Sequence, residues 1–217
     1  MAEREEALKV LDFIKGTAIA DLDTLVAWVK AFEGKGKENV TQPVNGRLNF
    51  TVAMISLVIC ETCGCYMLGA SEMDNPRSDR DVGTYMIEFM GKYFPKDGFF
   101  KKFSKVLADF LRNSLVHSFG SYTSPKATFQ LVLAISTDLN VHARAVEEDG
   151  TRKIKLNSLS LAEQTLQAFK KFESEVEKGQ NVQLITKILN ARDLQTEVGK
   201  GITNEFDVRF KELMGKV

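Results

Sequence analysis

Apolar residues recur at three-and-four spacing from Glu3 to Glu33. Leu8, Leu11, Ile14, Ile19, Leu22, Leu25, Val29 and Phe32 share one helical face, with charged residues between them. Gly16 interrupts this run and predicts a break or bend that divides it into two helices. The period is lost over 34–46, "GKGKENVTQPVNG", where Gly, Pro and Asn-Gly mark a loop. Residues 48–69 are apolar almost all round, the pattern of a helix at the centre of a bundle. A polar loop, "SEMDNPRSDRD", spans 71–81, and 82–93 predicts a short helix. "FPKDG" is a turn, and a helix is expected over about 99–118, with Gly120 placed to cap it.

The period then changes. "TFQLVLAIS" from Thr128 and "LNVHARAVE" from Leu139 alternate in part, and Asp149-Gly150 leads into "TRKIKLN". Asp-Gly between alternating runs is a hairpin signal, so a small antiparallel hairpin or meander is predicted over about 128–157. In "LSLAEQTLQAFKKFESEVEKG", Ser160 followed by Glu163 fits a capping box, and the helix should run to about Lys178. "NVQLITKILNAR" and "NEFDVRFKELMGK" predict further amphipathic helices. The expected fold is mainly α and a single domain over 1–217. A helical core over 1–120 precedes the β-meander and C-terminal helices of 121–217.

With 217 residues the chain is long enough to bury a sizeable core without disulfides. Its 29 basic and 29 acidic residues give a formal net charge of +0, so any affinity for nucleic acid must come from a local patch. "MAEREEALKV" is charged from residue 3 and lacks the pattern of a secretory signal. Glu61 interrupts the apolar run from Phe50 to Ala70, which therefore reads as a buried helix and not as a membrane span. Three cysteines do not make an even disulfide set, and a cytoplasmic location is expected. Asn39-Val-Thr41 and Asn49-Phe-Thr51 match the glycosylation triplet, and without a signal they read as chance.

The candidate chemistry lies in "FLRNSLVHSFG", 110–120. Val106, Phe110, Asn113 and His117 form one helical stripe, and Arg112 stands about 100° round from Asn113, beside Val116. Arg112 offers a planar fork of donors to a phosphate. His117 gives or takes a proton near neutral pH, and Asn113 can orient it. RNA carries its own nucleophile in the ribose 2′-OH, so protons to move and charge to stabilise are the protein's whole task, and no metal is required. One histidine does not readily serve both sides of the phosphorus, whereas a symmetric dimer would bring two together. In the competing structural reading, His117 faces the helix dipole and Arg112 pairs with Asp109 or Glu61.

Arg112-Asn113-x-x-x-His117 resembles the R-N-x-x-x-H form of the R-x(4–6)-H signature of HEPN domains, and "ICETCG" upstream is similar to a group of bacterial HEPN-like proteins. The resemblance covers residues 1–120. It implies a helical bundle, a homodimer with the motif helices near its interface, and metal-independent, cofactor-free RNA cleavage. Arg112 would hold phosphate, His117 would serve as general base or acid, and Asn113 would orient. Several HEPN-like proteins are non-catalytic. The alternative is therefore a nucleotide-, RNA- or protein-binding module on the same fold, with an antitoxin or another protein as partner.

Three further features bear on this reading. Cys60, Cys63 and Cys65 fall short of a four-ligand zinc set and read as small buried hydrophobes, so no metal is expected. Glu61, a carboxylate in an apolar helix, calls for a cation, and Arg112 is the candidate. The stretch 91–105 interleaves lysines with aromatics in the manner of single-stranded RNA sites. Lys101, Lys102 and Lys105 are its candidate phosphate contacts, against a plain reading of solvated lysines over a Phe core. His142 reads as a surface or cross-strand residue.

Overall fold

The computed structural model describes residues 2–33, 43–69, 81–96, 98–108, 130–134, 139–148 and 150–196. Helix α1 (Ala2–Ile14) does not break at Gly16. It widens through a π turn, Lys15–Ile19, and continues as α2 (Ala20–Glu33). The Thr17 hydroxyl donates to the Phe13 carbonyl at 2.7 Å, one turn back across this π turn. Ala7, Leu11 and Ile14 before the turn, and Leu22, Val26 and Val29 after it, are all buried.

Helix α3 (Pro43–Leu68) begins earlier than the expected loop boundary, with Pro43 at its first position. Proline suits that position because the first amides of a helix have no intrahelical partner. The helix is apolar all round because it is covered on several sides: α2, helix α4 (Asp81–Tyr93), helix α7 (Ser158–Lys178) and strand β1 (Gln130–Ala134) all pack on it. Phe50–Leu68 is long and apolar enough to cross a membrane, and 56% of it is buried inside the molecule. Burial by neighbouring helices thus accounts for much of its apolar character. At the α3–α4 crossing a Cβ on Gly64 would lie 2.1 Å from the Tyr85 carbonyl oxygen.

The predicted helix over 99–118 is interrupted within its described part. Helix α5 (Phe99–Lys102) ends at Phe103, whose φ of −102° and ψ of 11° depart from helical values, and α6 (Ser104–Val106) restarts beyond it. Phe103 leans back to stack on Phe99, with centroids 4.4 Å apart and an interplanar angle of 22°.

The small sheet corrects the expected antiparallel meander. Strands β2 (Ala143–Glu148) and β3 (Thr151–Asn157) form the antiparallel hairpin, but β1 pairs in parallel with β3, in the order β1-β3-β2. Eight residues separate β1 from β2, enough to pass the width of an intervening strand, ~4.8 Å on each side. The central place falls to β3, the strand that continues directly into α7. Leu133, Leu156 and Ala143 align across the three strands and pack on the helical core.

Strand β3 runs into α7 with no residue between them. The cap is Asn157, and not Ser160 as the capping-box spacing predicts: its Oδ1 accepts from the Ser160 amide at 3.4 Å. Glu163 pairs instead with Lys30 on α2. As predicted, α7 extends to Lys178, and it stops at Gly179 in the left-handed region. Helix α8, 182–196, follows, with the Asn181 Oδ1 accepting from the Leu184 amide at 3.1 Å. It is fastened to α3 by the Tyr66 hydroxyl donating to Gln195 at 2.5 Å, and to α1 by Arg192 and Glu6. The amphipathic helix expected from "NEFDVRFKELMGK" lies outside the described residues.

Candidate nucleic-acid interface

Helix α5 is anchored by Phe100, which is fully buried, so the flanking side chains are fixed relative to the core. Lys102 and Lys105 are exposed and Lys101 is half-buried. Phe103, at the turn between α5 and α6, is 43% exposed as a residue, and its ring stacks on Phe99. A third ring joins from the segment before β2: His142 lies 6.4 Å from Phe99 at 30°, and 5.5 Å from Phe100 at 56°. Phe103 and Phe99 thus stand beside the lysines of α5 and α6, and His142 approaches Phe99 from the separate segment before β2. Aromatic faces accept stacked bases of any sequence, and ammonium groups beside them suit the phosphates between.

His142 is not the cross-strand residue that the alternation predicts. Its Nδ1 lies 2.6 Å from the Ser160 Oγ, and that hydroxyl lies 2.9 Å from the Leu139 carbonyl oxygen. A hydroxyl has one proton, and the carbonyl only accepts. Ser160 therefore donates to Leu139, and Nδ1–H donates to Ser160. In the neutral ring Nε2 then carries the lone pair. Asn157 completes the arrangement: its amide donates to the His142 carbonyl at 2.9 Å and its Nδ2 to the Val141 carbonyl at 2.9 Å. The start of α7 thus clamps residues 139–142. Sequence reasoning missed this cluster, although Asn157-x-x-Ser160 ahead of an apolar run was its visible signal.

Arg112, Asn113 and His117 lie outside the described residues, and with them the pairing of Glu61 with Arg112. Glu61 itself is half-buried on α3. Cys60 and Cys63 are buried in the core. Burial pushes the Cys60 thiol up to about 12, and the Thr165 hydroxyl 3.7 Å away offsets only part of this. Burial also raises Cys63 well above the ordinary value, and raises Cys65 to about 12, with Glu61 adding to the effect. Such thiols stay protonated at neutral pH and act as packing groups. Among the described residues no three His, Cys, Asp or Glu side chains are grouped to hold a metal.

Two other polar features were not singled out in the sequence. On the outer face of the sheet Arg144 stands directly opposite Lys155, with Lys153 two residues along. An open groove of about 520 Å³ lies where the ends of α3 and α4 meet the start of α8, with Glu88, Lys92, Asn181 and Lys187 on its walls. Lys92 is drawn to one side of it by Glu175, at 2.9 Å. No known family model, curated protein or solved structure matches the chain.

Proposed function

We propose that the protein binds single-stranded RNA across the Phe103, Phe99 and His142 rings and cleaves it without a metal. Lys101, Lys102 and Lys105 contact phosphates, Arg112 stabilises the reacting phosphate, His117 transfers a proton and Asn113 orients it. The observation that supports this reading is the half-exposed Phe103 stacked on Phe99 among Lys101, Lys102 and Lys105, in a stretch that shortly precedes Arg112, Asn113 and His117 in the sequence. The stacked pair gives the plain alternative of a solvated lysine face less weight, since a half-exposed Phe103 stacked on Phe99 gains little by burial.

The test joins binding to cleavage. Phe103→Ala should weaken binding of a fluorescent single-stranded RNA about tenfold by anisotropy, in line with ~1–3 kcal/mol for a stacked base. Lys102→Glu with Lys105→Glu should weaken binding further and flatten its salt dependence. Wild type should cut this RNA in EDTA, and His117→Ala should not. Tight binding with no cleavage by wild type would assign the non-catalytic binding module, and unaltered binding by the Phe103 and lysine variants would remove this surface.

A further inference from the structure

We propose that the groove where the ends of α3 and α4 meet the start of α8 binds a free α-amino acid with an apolar side chain, a site that does not depend on the RNA reading above. Its volume of about 520 Å³ lies in the usual range for small-molecule pockets. Two glycines shape it. A Cβ on Gly69, at a φ of +87°, would lie 3.0 Å from the Lys187 Cβ and Cγ, so its absence lets the Lys187 stem pack on the end of α3. Lys187 is half-buried by that packing and lines the groove from α8. Gly91 lines it from α4, and nothing lies within 4 Å of a Cβ built there. That wall is bare backbone, with room for a ligand side chain. Met67 and Leu184, both buried, and the half-buried Leu68 supply the apolar part of the lining.

The charged groups on the walls are of both signs. Glu88 is followed one turn later by Lys92, a spacing that ordinarily pairs the two along a helix. Here Lys92 turns to Glu175 on α7, at 2.9 Å, and the same carboxylate oxygen accepts from the Asn181 Nδ2 at 2.8 Å. The other oxygen accepts from the Tyr93 hydroxyl at 2.8 Å. Glu175 thus holds Lys92 and Asn181 in place on the groove wall and leaves the exposed Glu88 carboxylate without its helical partner. On α8, Lys187 has Gln183, Leu184, Asn190 and Ala191 three and four residues away, none of them acidic. Among the described residues neither Glu88 nor Lys187 is in an ion pair. A zwitterion with an apolar side chain matches such a lining: its ammonium suits Glu88, its carboxylate suits Lys187, and its side chain suits the Met67 and Leu184 surface beside Gly91. A simple anion would meet Glu88 as a like charge, and a simple cation would meet Lys187 as one. Either end of a peptide carries only one of the two charges, so the free amino acid is the form that fits.

Isothermal titration calorimetry of the full chain with L-leucine, L-methionine and L-phenylalanine tests this. At least one should bind saturably, with a Kd of about 1 mM or tighter. The N-acetyl and carboxamide forms of that amino acid each lack one charge, and each should bind about tenfold more weakly or worse. Glu88→Gln should weaken the parent amino acid by a similar factor and leave the N-acetyl form unchanged. Lys187→Gln should do the same for the parent and leave the carboxamide unchanged. Gly91→Leu builds a side chain into the groove and should abolish binding while the protein melts as wild type does. Should a variant fail to fold, the two ligand analogues carry the result on wild type alone. No saturable binding by any of the three amino acids up to about 10 mM overturns the proposal. An N-acetyl or carboxamide form that binds as well as its parent overturns the zwitterion in favour of a singly charged ligand. Binding that survives Gly91→Leu and both charge variants overturns the groove as its place. None of these outcomes depends on RNA binding or cleavage.

Discussion

At Gly64 the room for a single methyl group decides how two helices meet. A Cβ there would stand 2.1 Å from the Tyr85 carbonyl oxygen and 2.5 Å from its carbon, and backbone cannot yield as a side-chain tip can. Gly64→Ala is expected to destabilise the protein by about 3 kcal/mol, the upper end for overpacking, read from urea midpoints. Gly16 is the opposite case. Nothing lies within 4 Å of a Cβ built on it, so Gly16→Ala should raise stability by up to about 1 kcal/mol in the same measurement. The sequence drew attention to Gly16 and gave no hint of Gly64. A glycine inside a helical period is visible along the chain, but the need for one comes from the carbonyl of another helix. The same limit applied to His142. Its partners, Ser160 and Leu139, are 18 residues ahead and three behind, and only the fold brings them together. The burial of Cys60 and Cys63 follows from local apolarity and was legible, whereas Cys65, expected to be buried with them, is half-buried. All three thiols should resist a disulfide reagent in native protein at neutral pH and react on denaturation.

Between elements, a polar junction forms at Glu175 on α7, which accepts hydrogen bonds from Lys92, Tyr93 and Asn181. Burial works to raise its pKa, but hydrogen bonds from Asn181, Lys92 and Tyr93 outweigh this and hold it below the ordinary 4.5. A carboxyl depressed in the folded state contributes stability above its unfolded value and loses it as pH falls through the folded one. Glu175→Gln should therefore melt earlier than wild type at pH 7, by the equivalent of about 1 kcal/mol for a partly screened group, and the gap should narrow as pH falls below the ordinary 4.5. Melting curves across pH 3–7 check both the size and the sign. The helices here were readable because a 3.6-residue period survives in α1, α2, α4 and α7. The sheet order was not, because alternation marks a strand without naming its neighbours. Nor did the spacing of Ser160 and Glu163 place the cap, since Asn157 supplies the first acceptor and Ser160 is turned toward Leu139 and His142.

For the molecule as a whole, the helical core was expected over residues 1–120, whereas the buried core continues beyond them. Phe169 and Phe172 on α7 are buried, and Phe172 meets Phe89 and Tyr93 of α4 at 5.8 Å and 5.4 Å. Ile185 and Ile188 on α8 belong to the same apolar cluster. A chain ending at 120 should accordingly fail to give a cooperative melt by circular dichroism, because α3 and α4 would lose the helix that covers them. The homodimer that the sequence resemblance implies is tested on the full chain: if it forms, Phe110→Asp should turn it into monomers by light scattering, and a persistent dimer would place the contact elsewhere.

The direct passage from β3 to α7 has a consequence for how this chain tolerates change in length. Asn157 ends the strand, caps the helix and holds residues 141 and 142, all without a spacer. One residue inserted between Asn157 and Ser158 would rotate α7 by about 100° against the sheet and swing Leu159, Phe169 and Phe172 off the core. A loop absorbs an insertion by bulging, but this junction has no slack to take it up. Among related sequences, gaps should fall on either side of this point and spare it, as though strand and helix were a single rigid word.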